Sequence, residues 1–229
     1  MTLLSKILKI AKRYSFNAPT KRNPDRIQTL GPNIELETKL NIVSSKDVEI
    51  ILKNISELGF SKVEHRTERH HFFSNNHIKH SVLILVKNSN EIWVKTKKDR
   101  QEINTPNKNI PILMRHEIKI RPQDKTYQKE FEKTISQKYV GSFKKECIDF
   151  SFWFENTSFT TTLSLADSKT DSLYQIEFEF DGPKENTRVL NFSEIIQTFE
   201  QMLIKIVPSS KITSLNTHTK LEWLLNKIG

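Results

Sequence analysis

Glu35, Glu37 and Lys39 occupy alternate positions in the stretch Ile34-Glu35-Leu36-Glu37-Thr38-Lys39. Side chains of an extended strand alternate in direction, so these three share one face while Ile34, Leu36 and Leu40 take the other. Two carboxylates and an ammonium side by side are favourable only where they meet a cation, an anionic ligand or open water. Much later, Gln175-Ile176-Glu177-Phe178-Glu179-Phe180 repeats the design. Carboxylate oxygens are hard ligands, and the two acidic strands together could hold a divalent cation such as Mg²⁺ or Mn²⁺. Two further stretches carry cations at strand spacing. Glu91 to Lys97 places Lys95 and Lys97 on one face, and Met114 to Arg121 sets Arg115, Glu117, Lys119 and Arg121 opposite Met114, Ile118 and Ile120. Such groups could hold phosphates as ion pairs.

The elements that must position these residues follow from pattern. Residues 17–33 are polar, contain three prolines and read as a loop delivering the first strand. Ser44 to Asp47 has the spacing of a helix capping box, and Val48, Ile51, Leu52, Ile55 and Leu58 recur at helical period before Gly59. Strands are predicted over Lys62 to Phe73, Ser81 to Lys87, Glu91 to Lys97 and Met114 to Arg121, with a polar loop between the last two. Residues 125–139 read as a short helix or an irregular excursion. Strands follow over Phe143 to Phe154, Phe159 to Leu165 and Leu173 to Phe180, then helices over Phe192 to Ile206 and Leu215 to Ile228.

Composition narrows the functional classes. With 229 residues and 14 Phe the chain can bury one sizeable core, and no linker splits residues 31–229. Residues 1–30 form a basic arm or a short amphipathic helix, in which Leu3, Leu4, Ile7, Leu8, Ile10 and Ala11 alternate with lysines and Arg13. Only 5 Gly, and neither a GxGxxG nor a GxxxxGK pattern, exclude a glycine-rich phosphate loop, so any phosphate must be held by side chains. The formal charge of +9 suits a polyanionic partner and equally a merely basic, soluble surface. A single cysteine, Cys147, excludes a disulfide framework and points to a reducing, intracellular compartment. No apolar run is long enough for a membrane span.

In several strands one face is charged and the opposite face apolar. An open antiparallel sheet with a wet side would account for one such strand. Three of them, two with paired glutamates, favour a closed antiparallel β-barrel whose apolar outer faces are covered by helices and whose interior is lined with charge. The fold class expected is therefore α+β, mainly β, with a polar tunnel.

Glu35-Leu36-Glu37-Thr38-Lys39 resembles the ExExK signature of the triphosphate tunnel metalloenzymes. Tyr174 to Glu179 resembles the late acidic strand of their RNA triphosphatase branch, the metal-dependent mRNA-capping enzymes of fungi, protists and large DNA viruses. The likeness spans most of residues 33–229. It implies Glu35, Glu37 and Glu179 as ligands of Mg²⁺ or Mn²⁺, and Glu177, with Glu117, as the residues that orient or deprotonate the attacking water. It implies Lys39, Lys95, Lys97, Arg115, Lys119 and Arg121 as phosphate-binding residues. The implied function is removal of the γ-phosphate of 5′-triphosphate RNA or of a nucleoside triphosphate, with a guanylyltransferase, separate or fused, as partner. Location would be nuclear for a cellular capping enzyme and cytoplasmic for a viral or plasmid-encoded one. Alternatives are a tripolyphosphatase, a thiamine triphosphatase or an adenylate cyclase-type enzyme of the same superfamily, or a non-catalytic barrel that binds RNA or polyphosphate.

Three stretches depart from the family pattern. Gln175 stands where a third glutamate is usual, Lys145, Cys147 and Asp149 replace an Arg-x-Lys-x-Arg strand, and Thr162 and Ser164 fall where Arg and Asp are expected. Five histidines between His65 and His80 invite a zinc site, although surface or tunnel-mouth histidines are the simpler reading. Trp93, Trp153 and Trp223 lie in apolar patterns and read as core, and Cys147 reads as a small buried residue.

Overall fold

The apolar halves of the alternating strands need cover, and helices supply it. The structure, a computed structural model, describes residues 2–15, 34–74, 80–87, 92–168, 171–183 and 191–228, the side chains at 80, 96–100, 183 and 227–228 excepted. The loop expected over 17–33 lies outside the described residues. In chain order the elements are α1 (Leu3–Ser15), β1 (Ile34–Asn41), α2 (Ser45–Leu58), β2 (Phe60–Ser74), β3 (His80–Val86), β4 (Ile92–Asn104), β5 (Pro111–Ile120), α3 (Tyr127–Ile135), β6 (Tyr139–Phe154), β7 (Thr157–Asp167), β8 (Ser172–Pro183), α4 (Phe192–Ile206), a 3₁₀ turn (Ser209–Ser214), β9 (Leu215–Asn216) and α5 (Lys220–Ile228).

The strands form one sheet in the order β5-β4-β3-β2-β6-β7-β8-β1-β9, and β1 also pairs with β5. That pairing, Glu35 opposite Arg115 and Leu36 opposite Met114, closes β1 to β8 into an antiparallel barrel. Closure removes the sheet edges that would otherwise present unpaired backbone groups. The expected fold class, mainly β with a closed barrel and flanking helices, is the one observed.

The outer faces of β1, β6, β7 and β8 carry Leu36, Ile148, Phe150, Phe152, Phe159, Leu163, Ile176 and Phe178 into one core with α1, α2 and α4. Fully burying each such side chain stabilises by roughly 1.5–3 kcal/mol. Helix α2 begins at Ser44, whose hydroxyl accepts from the Lys46 N–H, and ends at Gly59, where φ is 86. Asn191 and Glu194 form a reciprocal capping box that starts α4. The N-terminal segment is a helix that buries Ile7 and Ala11. No helix among the described residues is long and apolar enough to cross a membrane.

Three sequence expectations change. β4 continues to Asn104 where a loop was expected, because its polar Gln101 to Asn104 pairs with Pro111 to Met114 after an irregularity between Lys98 and Gln101. α5 starts at Lys220 rather than Leu215. Leu215 and Asn216 pair instead with β1, and Thr219 begins the helix with its N–H donating to Glu222. The interior is not charged throughout: Phe72, Val82, Ile84, Trp93 and Phe143 form a second apolar cluster with Leu221 and Leu224 of α5. An unbroken apolar run such as Val82 to Val86 does not show by its pattern which face turns inward.

Candidate active site

β1 and β8 lie side by side, with Glu37 opposite Glu179, Lys39 opposite Glu177 and Asn41 opposite Gln175. Alternation then sends every charged residue of both strands into the bore. Carboxylate oxygens of Glu35, Glu37 and Glu179 lie within 4.8 Å of one another, and this is the one such cluster of metal-ligating side chains among the described residues. Three anions at that spacing repel unless cations lie among them. Arg115 meets Glu35 at 2.5 Å through Nε and Glu37 at 2.5 Å through Nη2, and the Lys39 ammonium meets Glu37 at 2.5 Å. Glu37 and Lys39 are buried, at 1% and 2% exposure, so each depends on this pairing.

Beside the trio lies a cavity of about 80 Å³, lined by Glu35, Glu179, Lys39, Lys95, Arg115 and Glu177 among others. That volume admits several water molecules. The structure therefore brings six of the residues named from sequence to one space, with Glu37 beneath them. Glu117 pairs with Lys95 at 2.5 Å at its edge. Burial opposes charge on Lys95, yet Glu117 and Glu35 hold it protonated above its ordinary range. Lys119 and Arg121 lie elsewhere, over the ring of Trp93. The Lys97 side chain lies outside the described residues; its backbone pairs with Glu117.

Two cationic residues of the cavity wall were not among the site residues expected from sequence. Lys220, the first residue of α5, reaches Glu177 at 2.5 Å, and Lys145 of β6 lies 3.4 Å from the same oxygen. Burial works against the Glu177 carboxylate, but Lys145, Lys220 and Lys39 hold it well below the usual carboxylate range. Lys220 moves the other way: burial pushes it down to about 7 despite Glu177, because Lys145 and Lys39 crowd it. Lys145 and Lys220 thus share the one carboxylate of Glu177, while Lys39 has Glu37 as its partner. Lys145 stands in the stretch Lys145 to Asp149 that was set aside as a poor match to a basic strand, a signal that was available. Lys220 opens an ordinary amphipathic helix one turn before the buried Leu224 and gives no local sign.

The remaining departures also find places. Gln175 is fully buried and donates to Asn41 at 3.0 Å. Asp149 accepts from Thr162 at 2.8 Å and pairs with Arg66, which also meets Glu68 at 3.0 Å. Glu68 in turn holds His70 at 2.7 Å, and the His70 ring stacks on Phe143 with centroids 5.3 Å apart. Burial pushes His70 down to about 4, which leaves a neutral imidazole at neutral pH. His71 follows on the opposite face of β2 and pairs with Tyr139 outside the barrel, so the adjacent histidines do not converge. Burial lifts the Cys147 thiol to about 12, consistent with packing rather than nucleophilic chemistry.

No protein family matches this chain, and no curated protein matches it in sequence. Solved structures do. The RNA triphosphatase domain of a mimivirus mRNA capping enzyme is 12% identical, with a TM-score of 0.52 over 88% of this chain and 96% of that one. A Hippeastrum protein, described as a putative adenylyl cyclase with a dominant triphosphatase activity, is 11% identical with a TM-score of 0.53, covering 84% and 95%. A Pyrococcus horikoshii protein is 16% identical with a TM-score of 0.53, covering 82% and 98%. At these identities the likeness is one of fold. The chain has the closed tunnel barrel of these structures.

Proposed function

We propose that this protein is a divalent-metal-dependent RNA 5′-triphosphatase that removes the γ-phosphate of nascent RNA. The observation that carries the reading is the convergence of Glu35, Glu37 and Glu179 beside a cavity walled by Lys39, Lys95, Arg115, Lys145 and Lys220. Hard oxygen donors and phosphate-binding cations then share one small space. The likeness in fold to a viral capping triphosphatase supports the same reading.

The three carboxylates fit Mg²⁺ or Mn²⁺, since they supply only oxygen donors and already draw two cationic side chains into their midst. An ion held there would polarise a phosphoryl oxygen and lower the pKa of its bound water. Arg115 and Lys39 would release a carboxylate partner and turn to the phosphates. Lys95, Lys145 and Lys220 would balance charge on the leaving diphosphate as the bond from the γ-phosphorus to its bridging oxygen breaks. Water attacks that phosphorus in line, and its proton passes to a carboxylate. Glu177 lines the cavity and pairs with Lys220 and Lys145, and Glu117 pairs with the cavity's Lys95. The 5′-diphosphate end left behind suits guanylyl transfer by a separate or fused guanylyltransferase.

Release of phosphate from γ-labelled triphosphate RNA tests the proposal. Activity should require Mg²⁺ or Mn²⁺ and fall by about 100-fold or more in Glu37→Ala and Glu179→Ala, as expected when charge stabilisation is removed. Activity with metal chelated, or full activity in both variants, would refute it. Tripolyphosphate, thiamine triphosphate and ATP, run in parallel, separate RNA from small triphosphates. Binding without any hydrolysis would assign the barrel a non-catalytic role.

A further inference from the structure

The two ends of the bore differ. At one end Leu221 and Leu224 of α5 pack with Phe72, Val82 and Phe143, and Lys220 points into the cavity. At the other end β4 starts at Ile92 and β5 finishes at Ile120, which places Trp93 and Lys119 one residue inside the rim. Among the described residues α5 packs at the first end, so a group carried by a bound polyphosphate would extend toward the second. Trp93 is only 8% exposed there, beneath two long cationic side chains. The Lys119 ammonium sits 3.3 Å from the ring centroid and the Arg121 guanidinium 5.8 Å from it, while both side chains are otherwise exposed. The ring belongs to the inner apolar cluster with Val82 and Ile84, and Ile84 is its partner across the sheet.

Burial of the Lys119 ammonium, then Lys95, Arg66 and Arg121 nearby, push it down to about 7, with Glu117 the opposing partner. An arriving phosphate would draw it off the ring. Trp93 follows the same inward alternation as Lys95, two residues further on, and lies about 7 Å from it along the strand. A phosphate on Lys95 would therefore carry an attached nucleoside to the level of the indole.

We propose that Trp93 is a stacking platform for the nucleobase carried by the polyphosphate, covered by Lys119 in the free protein and uncovered as Lys119 turns to phosphate. The proposal rests on the triphosphatase reading for its anion and adds to it the residue that distinguishes a triphosphate bearing a nucleoside from bare tripolyphosphate. An indole face accepts any base, so the platform suits the variable first nucleotide of an RNA.

Equilibrium binding with divalent ions chelated tests this without turnover, using GTP, a short triphosphate-ended RNA and tripolyphosphate. Trp93→Leu should weaken GTP and the RNA about tenfold more than tripolyphosphate, within the range found for loss of one base–aromatic stack. Trp93→Phe should keep the preference to within about twofold, as it keeps a π face. Equal losses for all three ligands, or none, would overturn the proposal. Should Trp93→Leu fail to fold, a Trp153→Phe/Trp223→Phe protein leaves Trp93 as the sole tryptophan of three. Its fluorescence should be quenched more at saturation by GTP than by tripolyphosphate, and equal quenching would refute the platform. Absence of hydrolysis of every triphosphate would instead refute the triphosphatase reading and leave these binding ratios standing.

Discussion

Lys220 offers a sharp test of the cavity, because nothing in its local sequence marks it as functional. Its ammonium meets Glu177 at 2.5 Å, in a site where Lys145 and Lys39 already neutralise that carboxylate. With Lys145 beside the same carboxylate, the charge that Lys220 carries below about pH 7 can turn to an incoming phosphate. A charge-assisted hydrogen bond is worth about 1.5–3 kcal/mol, so Lys220→Met should lower kcat/KM roughly 10- to 150-fold. Stability should suffer less than for an ordinary broken buried pair, since Glu177 keeps Lys145 at 3.4 Å.

The pH dependence carries a further signature. Lys220 titrates near 7 in the folded protein instead of its ordinary 10.5. In the free enzyme its charge fades above about 7, so the alkaline limb of kcat/KM should begin there. Lys220→Arg retains the charge and should extend the plateau to higher pH. For stability the sign reverses. Between about 7 and 10.5 the unfolded chain holds a proton that the folded one has released, so this group makes stability rise with pH across that window. Lys220→Met should flatten that rise. The assays are phosphate release against pH and denaturant melts from pH 6 to 10. Wild-type kcat/KM in Lys220→Met, or an alkaline limb in Lys220→Arg that superimposes on wild type, would refute the reasoning.

Two further substitutions test the scaffold. Phe199 is fully buried in α4, with its ring 5.6 Å from that of Phe159 on the barrel's outer face. Phe199→Ala should cost about 3–5 kcal/mol, roughly 10 °C in Tm for a chain of this size, and a thermal melt within 2 °C of wild type would contradict that packing. Asn191→Ala removes the side chain that accepts from the Glu194 N–H at 3.0 Å, and should cost about 1 kcal/mol in chemical denaturation without changing phosphate release at saturating metal.

Local alternation determined a good deal. It set the inward faces of β1, β5 and β8, because a period of two is a property of the backbone and does not depend on what the strand meets. The helical period of α2 and α4 was equally local, and the strongest pairs of carboxylates stood out because like charges at alternate positions are costly without a partner. Pairing between strands was a different matter. Glu37 and Glu179 become neighbours only because β1 closes the barrel between β8 and β5, a choice made by the summed packing of Phe150, Phe159, Phe178 and Phe199 against the helices. The inward turn of Val82 and Ile84 was likewise decided by their neighbours, since an apolar run satisfies either face. Lys145 and Lys220 joined Glu177 from a distant strand and from the C-terminal helix, with no shared motif among them. The sequence by itself determined which strands carry charge and that they carry it on one face. Only the tertiary structure decided which charges meet, because electrostatic energy depends on separation in space.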